Sequence, residues 1–253
     1  MARRSFFRYS ICYLAVAMCF NSSPIALGAD AAPHIIRIAL AGDSTVTDNA
    51  GWGAGFANHL KGAECINFSK GGRSSKSFIA EGSWKKVLDS KPDYVLIQFG
   101  HNDQPGHADR ETDPQTTYRQ YMTSYVEEAL AAGIKPVLVT SLSRRQWGKD
   151  GKIHSALTPY AEVVKEIAAA KSVPLIDLHS ISLAYYDKEG KEKILEISPM
   201  KNPDAGSVNS DTTATTKQAV DGTHLNEKGG AIIGAMVAEE LKKVVPELAP
   251  FIQ

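Results

Sequence analysis

Cysteine is scarce in this chain of 253 residues, with three in all. Cys12 and Cys19 lie near the N-terminus, so Cys65 is the one cysteine in the rest of the sequence. A lone cysteine cannot form an internal disulfide, which excludes the small exported domains that depend on several disulfides. Stability must therefore come from a hydrophobic core, and the chain is long enough to bury one.

An apolar run long enough to cross a membrane is also lacking. The segment 11–20 is apolar but too short to span a bilayer. It follows a basic head of three arginines and precedes small residues at positions 26 and 28, as in export signals. The sequence predicts a signal peptide at 1–28, a single domain at 29–253, and a periplasmic or extracellular protein. The basic head fits the ordinary secretory route and also resembles a twin-arginine signal.

Neither charge is in excess, since 28 basic residues balance 28 acidic ones. The predicted signal holds three arginines and no acid, which leaves 25 basic and 28 acidic residues after its removal. This balance excludes a protein that binds nucleic acid through a basic surface. No membrane partner is expected once the signal is removed. Repeats, heptads and low-complexity linkers are missing as well, which is consistent with a single domain.

Short apolar runs alternate with amphipathic stretches from residue 35 onward. The run at 35–41 is rich in β-branched residues and ends at a glycine, which is typical of a buried parallel strand. Further strands are predicted at 65–69, 94–99, 135–140 and 173–177. Helices are predicted at 56–60, 83–88, 115–132, 157–170 and 227–245. This alternation predicts an α/β fold, a parallel sheet with helices on both faces. The irregular segment 192–218 is predicted to be a lid or a substrate wall.

Small and polar residues follow the first three predicted strands, at the edge where such sheets bind ligands. Ser44 follows the first strand, Gly71 and Gly72 the second, and Asn102 the third. A serine becomes a nucleophile when a base takes its proton, and glycine N–H groups and asparagine amides can stabilise an oxyanion. Each residue also has a simpler interpretation, in which Ser44 caps a helix and the glycines make a tight turn.

Asp221 and His224 are three residues apart, just before the last predicted helix. This spacing can place the carboxylate against one ring nitrogen and leave the other to face Ser44. By itself, Asp-Gly-Thr-His is equally compatible with a capped turn. A metal site is not predicted, because His101 and His107 have no third ligand at a suitable spacing, and no other cofactor is expected.

Four segments together resemble the signature blocks of the SGNH (GDSL-type) hydrolases. They are Gly-Asp-Ser at 42–44, Gly72, Gly-His-Asn-Asp at 100–103 and Asp-Gly-Thr-His at 221–224. Longer strings around these blocks, such as Gly-Gly-Arg-Ser-Ser-Lys-Ser-Phe, resemble the rhamnogalacturonan acetylesterase branch. The resemblance extends from about residue 35 to 245.

The resemblance implies a role for each matched residue. Ser44 would be the nucleophile and His224 its base, held by Asp221, while Ser44, Gly72 and Asn102 would form the oxyanion hole. It further implies a three-layer α/β/α sandwich with a five-stranded parallel sheet. The activity implied is removal of acetyl groups from pectic polysaccharide through an acyl-enzyme, without a metal. Two alternatives remain: an SGNH deacetylase acting on xylan or sialic-type sugars, and a carbohydrate-binding protein that is not an enzyme.

Cations and tryptophans are also predicted at the edge that carries Ser44, because they follow strands or lie in its loops. These candidate substrate-binding residues are Lys70, Arg73, Arg144, Arg145, Trp52 and Trp147. Arginine binds carboxylates with two parallel hydrogen bonds, and tryptophan can stack against sugar rings. The set favours an anionic polysaccharide or oligosaccharide, such as galacturonate-containing pectin, over neutral xylan. The alternative is that Arg73 and Arg145 pair with acids nearby.

Overall fold

A computed structural model describes residues 34–200 and 220–253 of the chain. Five parallel strands form one sheet in the order β2-β1-β3-β4-β5. The strands are β1 Ile36–Gly42, β2 Ala63–Asn67, β3 Tyr94–Gln98, β4 Lys135–Val139 and β5 Leu175–Ile176. The predicted sheet is confirmed. The predicted signal peptide lies outside the described residues, as does most of the predicted lid.

Helices alternate with the strands. They are α1 Gly53–Ala57, α2 Ser75–Ala80, α3 Ser83–Asp89, α4 Arg119–Ala131, α5 Thr158–Lys171, α6 Leu178–Glu189, α7 Lys191–Leu195 and α8 Glu227–Val244. A π-helical turn, Pro114–Tyr118, leads into α4, and a 3₁₀ turn, Pro246–Phe251, follows α8. No helix in the described ranges is long and apolar enough to cross a membrane.

Three helices were not predicted from the sequence. The helix α2 is only six residues long, too short to show a period, and begins because Ser74 caps it in a capping box. The buried face of α6 includes His179 and Ser182, which interrupt its apolar pattern. Four of the five residues of α7 fall in the segment that was predicted to be irregular, so that prediction was wrong at 192–195.

The side chains of each strand alternate between two cores, one on either face of the sheet. In β1, Ile38 and Leu40 pack into the core that α1, α6, α7 and α8 cover. Ala39 and Ala41 face the opposite core, which is covered by α2, α3, α4 and α5. The three-layer α/β/α arrangement is therefore confirmed.

The strand order reverses beside β1, and this reversal locates the site. The chain passes from β1 outward to β2 and then returns to β3 on the other side of β1. Loops leaving the carboxyl ends of these strands diverge at such a point and leave a crevice between them. Ser44, Gly72 and Asn102 lie in those three loops.

Candidate active site

Ser44, His224 and Asp221 form a continuous hydrogen-bonded line across the crevice. The Nε2 atom of His224 lies 2.9 Å from Ser44 Oγ, and its Nδ1 atom lies 2.7 Å from Asp221 Oδ2. The two ring nitrogens therefore serve different partners, the arrangement in which a carboxylate orients an imidazole toward a hydroxyl.

The Asp221 turn builds this geometry locally. The second carboxylate oxygen, Oδ1, accepts hydrogen bonds from the backbone N–H groups of Thr223 at 2.7 Å and His224 at 3.1 Å. Burial alone would raise the pKa of Asp221, but the hydrogen bonds from His224 and from the two N–H groups outweigh it and lower that pKa. Asn226 then caps α8 by accepting from Gly229 N at 2.9 Å.

The backbone of the Ser44 turn is fixed by its buried neighbour Asp43. Asp43 Oδ1 accepts from the backbone N–H of Thr45 at 2.9 Å and from its hydroxyl at 2.7 Å. Its other oxygen lies 3.4 Å from Nδ1 of buried His101, beyond hydrogen-bond geometry but within ion-pair range. Burial would raise the pKa of Asp43, yet attraction to His101 and the bonds from Thr45 lower it. The aspartate of the Gly-Asp-Ser block is thus a structural anchor.

Three candidate donors lie in the Ser44 turn and in the two loops beside it. Within the described ranges, the backbone N–H groups of Ser44 and Gly72 donate to no protein acceptor. Asn102 Nδ2 donates to Arg73 O at 3.1 Å, which ties its loop to the glycine turn and leaves its second N–H free. Gly72 has a φ of +78°, which favours glycine, and a Cβ on Gly71 would lie 3.7 Å from Ser44 Cβ. The predicted oxyanion donors therefore share one edge with Ser44.

Arg145 does not lie where the sequence placed it. It is only 3% exposed, and it donates through Nε to Ser198 Oγ at 2.7 Å and through Nη2 to the carbonyl oxygen of His224. Its own backbone N–H donates to Gly222 O at 2.7 Å, and a Cβ on Gly222 would come within 2.9 Å of Arg145 O. The prediction that Arg145 contacts substrate is wrong because the side chain turns inward beneath the Asp221 turn.

Lys70 and Arg73 are half-exposed but already paired with one acid. Glu81 accepts from Lys70 Nζ at 3.2 Å and from Arg73 Nε at 3.0 Å. Desolvation would raise the pKa of Glu81, but hydrogen bonds from Ser83, Arg73 and Lys70 outweigh it and lower that pKa to about 2. The alternative that Arg73 pairs with a local acid is therefore correct.

The remaining predicted contacts divide between the core and the edge. Trp52 is fully buried, and its Nε1 donates to Gln98 Oε1 at 3.0 Å, so the prediction that it stacks on a sugar is wrong. Gln98 in turn donates to Thr45 Oγ1 at 2.7 Å, which makes Trp52 part of the support for the Ser44 turn. Trp147 is half-buried. Arg144 reaches the edge, where its Nε donates to Thr223 Oγ1 at 3.2 Å.

Arg110 was missed by the sequence analysis. Its Nη1 donates to Gly72 O at 3.2 Å, from a loop that has neither periodicity nor a motif. In the described part of the chain, no group of three His, Cys, Asp or Glu side chains could hold a metal ion.

Comparison with known proteins gives a consistent result. Residues 38–232 match the GDSL-like lipase/acylhydrolase family. The rhamnogalacturonan acetylesterase RhgT of Bacillus subtilis is 34% identical over 219 residues, which cover 83% of this chain and 90% of RhgT. The probable rhamnogalacturonan acetylesterase YesY of the same organism is 35% identical, over 82% of this chain and 93% of YesY.

A solved structure shows the same fold. Protein YxiM of Bacillus subtilis superposes with a TM-score of 0.66 at 24% identity, over 86% of this chain and 58% of that one. This chain thus spans little more than half of the YxiM structure. The family match covers most of the sequence, and the relatives with the higher identity are carboxylic ester hydrolases. The chain therefore belongs to the GDSL-like lipase/acylhydrolase family and is a carboxylic ester hydrolase.

Proposed function

We propose that the protein is a serine esterase that removes O-acetyl groups from pectic polysaccharide, with acetylated rhamnogalacturonan as its substrate. The observation that carries this proposal is the line from Asp221 through His224 to Ser44 Oγ. A hydroxyl placed 2.9 Å from an oriented imidazole can lose its proton as it attacks a carbonyl carbon. RhgT and YesY are named as rhamnogalacturonan acetylesterases, which supports an acetyl ester of that polysaccharide as the substrate.

The first half of the reaction forms an acetyl-enzyme. Ser44 Oγ attacks the carbonyl carbon of the acetyl ester, and His224 Nε2 takes the hydroxyl proton. Negative charge then develops on the carbonyl oxygen, where the N–H groups of Ser44, Gly72 and Asn102 stabilise it. When the tetrahedral intermediate collapses, the bond to the sugar oxygen breaks and His224 donates its proton to that oxygen.

The second half releases acetate. Water attacks the acetyl carbon while His224 Nε2 takes its proton, and the same three donors stabilise the second oxyanion. Collapse breaks the bond to Ser44 Oγ, which recovers its proton from His224. Asp221 stays ionised throughout, because its hydrogen bonds lower its pKa, and it stabilises the imidazolium in both halves.

The proposed substrate is an acetylated polysaccharide that carries acidic sugars. Two observations support an anionic chain: both acetylesterase relatives are named for rhamnogalacturonan, and Arg144 lies beside the Asp221 turn. Neutral acetylated xylan is the competing substrate for the same set of residues, and the experiment below separates the two.

Release of acetate from defined polymers tests the proposal. The purified protein is incubated with acetylated rhamnogalacturonan, acetylated homogalacturonan and acetylated xylan, with Ser44→Ala as the matched control. We expect kcat/KM to be highest on rhamnogalacturonan and the control to release no acetate above background. Equal or better cleavage of xylan would overturn the pectic assignment. Equal acetate release by the Ser44→Ala protein would overturn the mechanism.

We further propose that the protein is exported to the periplasm or the medium as a single domain, residues 29–253. The basic head and apolar segment of the first 28 residues support this. Expression of the full chain should yield a mature protein outside the cytoplasm. Its mass should correspond to residues 29–253. A full-length product that stays in the cytoplasm would contradict export.

A further inference from the structure

The arginines of the described ranges fall into two groups. Three of them form ion pairs with glutamates: Arg37, Arg73 and Arg119. The other three have no carboxylate at ion-pair distance among the described residues: Arg110, Arg144 and Arg145. All three in the second group contact loops that carry the proposed catalytic residues. Unpaired guanidinium groups are thus concentrated at one edge of the sheet.

Arg144 is held in a fixed position by neutral acceptors. Its Nε donates to Thr223 Oγ1 at 3.2 Å, its Nη2 donates to His101 O at 3.3 Å, and its Nη1 donates to Gln104 Oε1. Burial lowers the pKa of Arg144, although attraction to Asp43 and Asp221 opposes that shift. Arginine nevertheless stays protonated in proteins. The cation is therefore pre-oriented without being neutralised.

Two N–H groups of Arg144 have no acceptor among the described residues. A guanidinium carries five N–H groups, one on Nε and two on each terminal nitrogen. The three hydrogen bonds above occupy one on each nitrogen, which leaves one on Nη1 and one on Nη2. A pair of N–H groups on the two terminal nitrogens is the arrangement that binds both oxygens of a carboxylate.

Arg144 is one of the residues that line a small cavity of about 40 Å³. On the same measure a water molecule needs roughly 10–15 Å³, so the cavity has room for a carboxylate group. Besides Arg144, its lining includes the side chains of Gln146 and Ser155, and both retain a donor. Gln146 is exposed with no hydrogen-bond partner among the described residues, and Ser155 Oγ only accepts, from Leu157 N at 3.3 Å.

The acid nearest in sequence does not compete for this cavity. Asp150 Oδ2 lies 2.7 Å from Nε2 of His154, another residue that lines the cavity. That hydrogen bond lowers the pKa of Asp150. Arg145, the neighbour of Arg144, is committed to the buried contacts beneath His224. Arg144, by contrast, lines this cavity and makes only three of its possible five hydrogen bonds to the described residues.

Arg144 is also hydrogen-bonded to the turn that carries the proposed base. Thr223, which accepts from Arg144, stands between Asp221 and His224 in the sequence and donates its N–H to Asp221 Oδ1. The Arg144 guanidinium is therefore two hydrogen bonds away from the Asp221 carboxylate.

We propose that Arg144, with Gln146 and Ser155, binds the carboxylate of a uronic acid residue and makes the enzyme select acetylated acidic polysaccharide. This inference rests on the proposed function, since it concerns the substrate of the same site. It replaces the larger cationic set expected from the sequence, in which Lys70, Arg73 and Arg145 proved to have other partners.

The test compares acetylated rhamnogalacturonan with the same polymer after its carboxyl groups are reduced to primary alcohols. The readout is the ratio of kcat/KM on the native polymer to kcat/KM on the reduced polymer, which cancels any general loss of catalysis. We expect the wild-type ratio to be on the order of 10 to 100, as loss of a charged hydrogen-bonded pair implies. In Arg144→Gln the ratio should fall to near one, and in Arg144→Lys it should be intermediate.

Two further variants keep the test decisive. Arg119→Gln removes a cation outside the site and should keep the wild-type ratio. Gln146→Ala changes an exposed side chain, so it should fold even if Arg144 variants do not, and its ratio should fall several-fold. A wild-type ratio of one, or unchanged ratios in Arg144→Gln and Gln146→Ala, would overturn the inference. Failure of the wild-type enzyme to deacetylate either polymer, with 4-nitrophenyl acetate still cleaved, would instead overturn the proposed function.

Discussion

The guanidinium of Arg145 donates a hydrogen bond to the backbone carbonyl oxygen of His224 from beneath the loop. A second bond, of 3.5 Å, runs from the same nitrogen to the carbonyl oxygen of Asp221. Among the described residues Arg145 has no carboxylate partner, so carbonyl and hydroxyl oxygens stabilise its buried charge. One side chain therefore holds both ends of the turn that orients the imidazole.

Replacement of Arg145 should reduce turnover more than substrate binding. A displacement of about 1 Å in a catalytic group can cost roughly 100-fold in rate. We expect Arg145→Lys to lower kcat on 4-nitrophenyl acetate by about 10- to 100-fold with little change in KM. The rate at which a serine-directed phosphonate labels Ser44 should fall in parallel, because labelling needs the oriented base.

Folding must be measured beside that experiment, since Arg145 is buried. Circular dichroism and the melting temperature identify variants that are folded at the assay temperature. Ser198→Ala removes an acceptor of Arg145 Nε and provides a milder test of the same contact. A folded Arg145→Lys enzyme with wild-type kcat and labelling rate would show that the contact has no positioning role.

Loss of the Asn102 amide should affect turnover specifically. Its free N–H meets negative charge that develops only in the transition state, so we expect Asn102→Ala to lower kcat by roughly 100- to 1,000-fold. Steady-state kinetics on 4-nitrophenyl acetate separate the two parameters. If kcat stays normal while KM rises, Asn102 belongs to substrate binding and the oxyanion hole must be reassigned.

The pH profile should have an acid limb that reports one group. His224 accepts the Ser44 proton only when its ring is neutral, so kcat/KM should fall about tenfold for each pH unit along the acid limb. The Asp221 carboxylate does not take up a second proton along this limb, because its pKa is lowered and it stays ionised. A limb that falls a hundredfold per unit, or a profile flat to about pH 4, would contradict a single histidine base.

Glu81 should make stability depend on pH in the acid range. Its pKa is about 2 in the folded protein against 4.5 for the free side chain. A lowered folded pKa gives stability that is present above pH 4.5 and lost as the pH falls from 4.5 toward 2. The partners Lys70 and Arg73 are partly exposed, so the effect on the melting temperature should be no more than about 4 °C.

The Glu81→Gln variant isolates that contribution. Melting temperatures of the two proteins should differ at pH 7 and converge near pH 2. Glu166→Gln, which breaks the surface pair with Arg119, is a control of the same kind at another position. A difference between wild type and Glu81→Gln that is as large at pH 2 as at pH 7 would exclude this ionisation as its source.

The parallel sheet and the positions of the polar residues along it could be predicted from the sequence. The run at 35–41 is compatible with few other secondary structures, since its β-branched residues fit a strand that is buried on both faces. Once strands are parallel, residues just beyond their ends share one edge, whatever the intervening chain does. This explains why Ser44, Gly72 and Asn102 were expected together. The contact between His224 and Asp221 followed from a three-residue spacing that closes within a single turn.

The directions of long side chains could not be predicted in this way. Arg144 and Arg145 are adjacent, yet one reaches the edge and the other turns beneath His224, because neighbouring residues of an extended segment point to opposite sides. Trp52 was expected on the surface, but its indole fills the core and finds Gln98 as its acceptor. Glu81 neutralises Arg73 across eight residues of sequence, a contact that depends on how α2 ends. Such contacts depend on packing rather than on pattern.

In the proposed mechanism, Ser44 carries the acetyl group during the reaction. Intact mass spectrometry after treatment with a serine-directed phosphonate, followed by peptide mapping, tests it directly. We expect a single adduct on Ser44, no adduct in Ser44→Ala, and slower labelling in a variant that lacks the His224 imidazole. An adduct on another residue, or acetate release by Ser44→Ala at a tenth of the wild-type rate or more, would contradict the account.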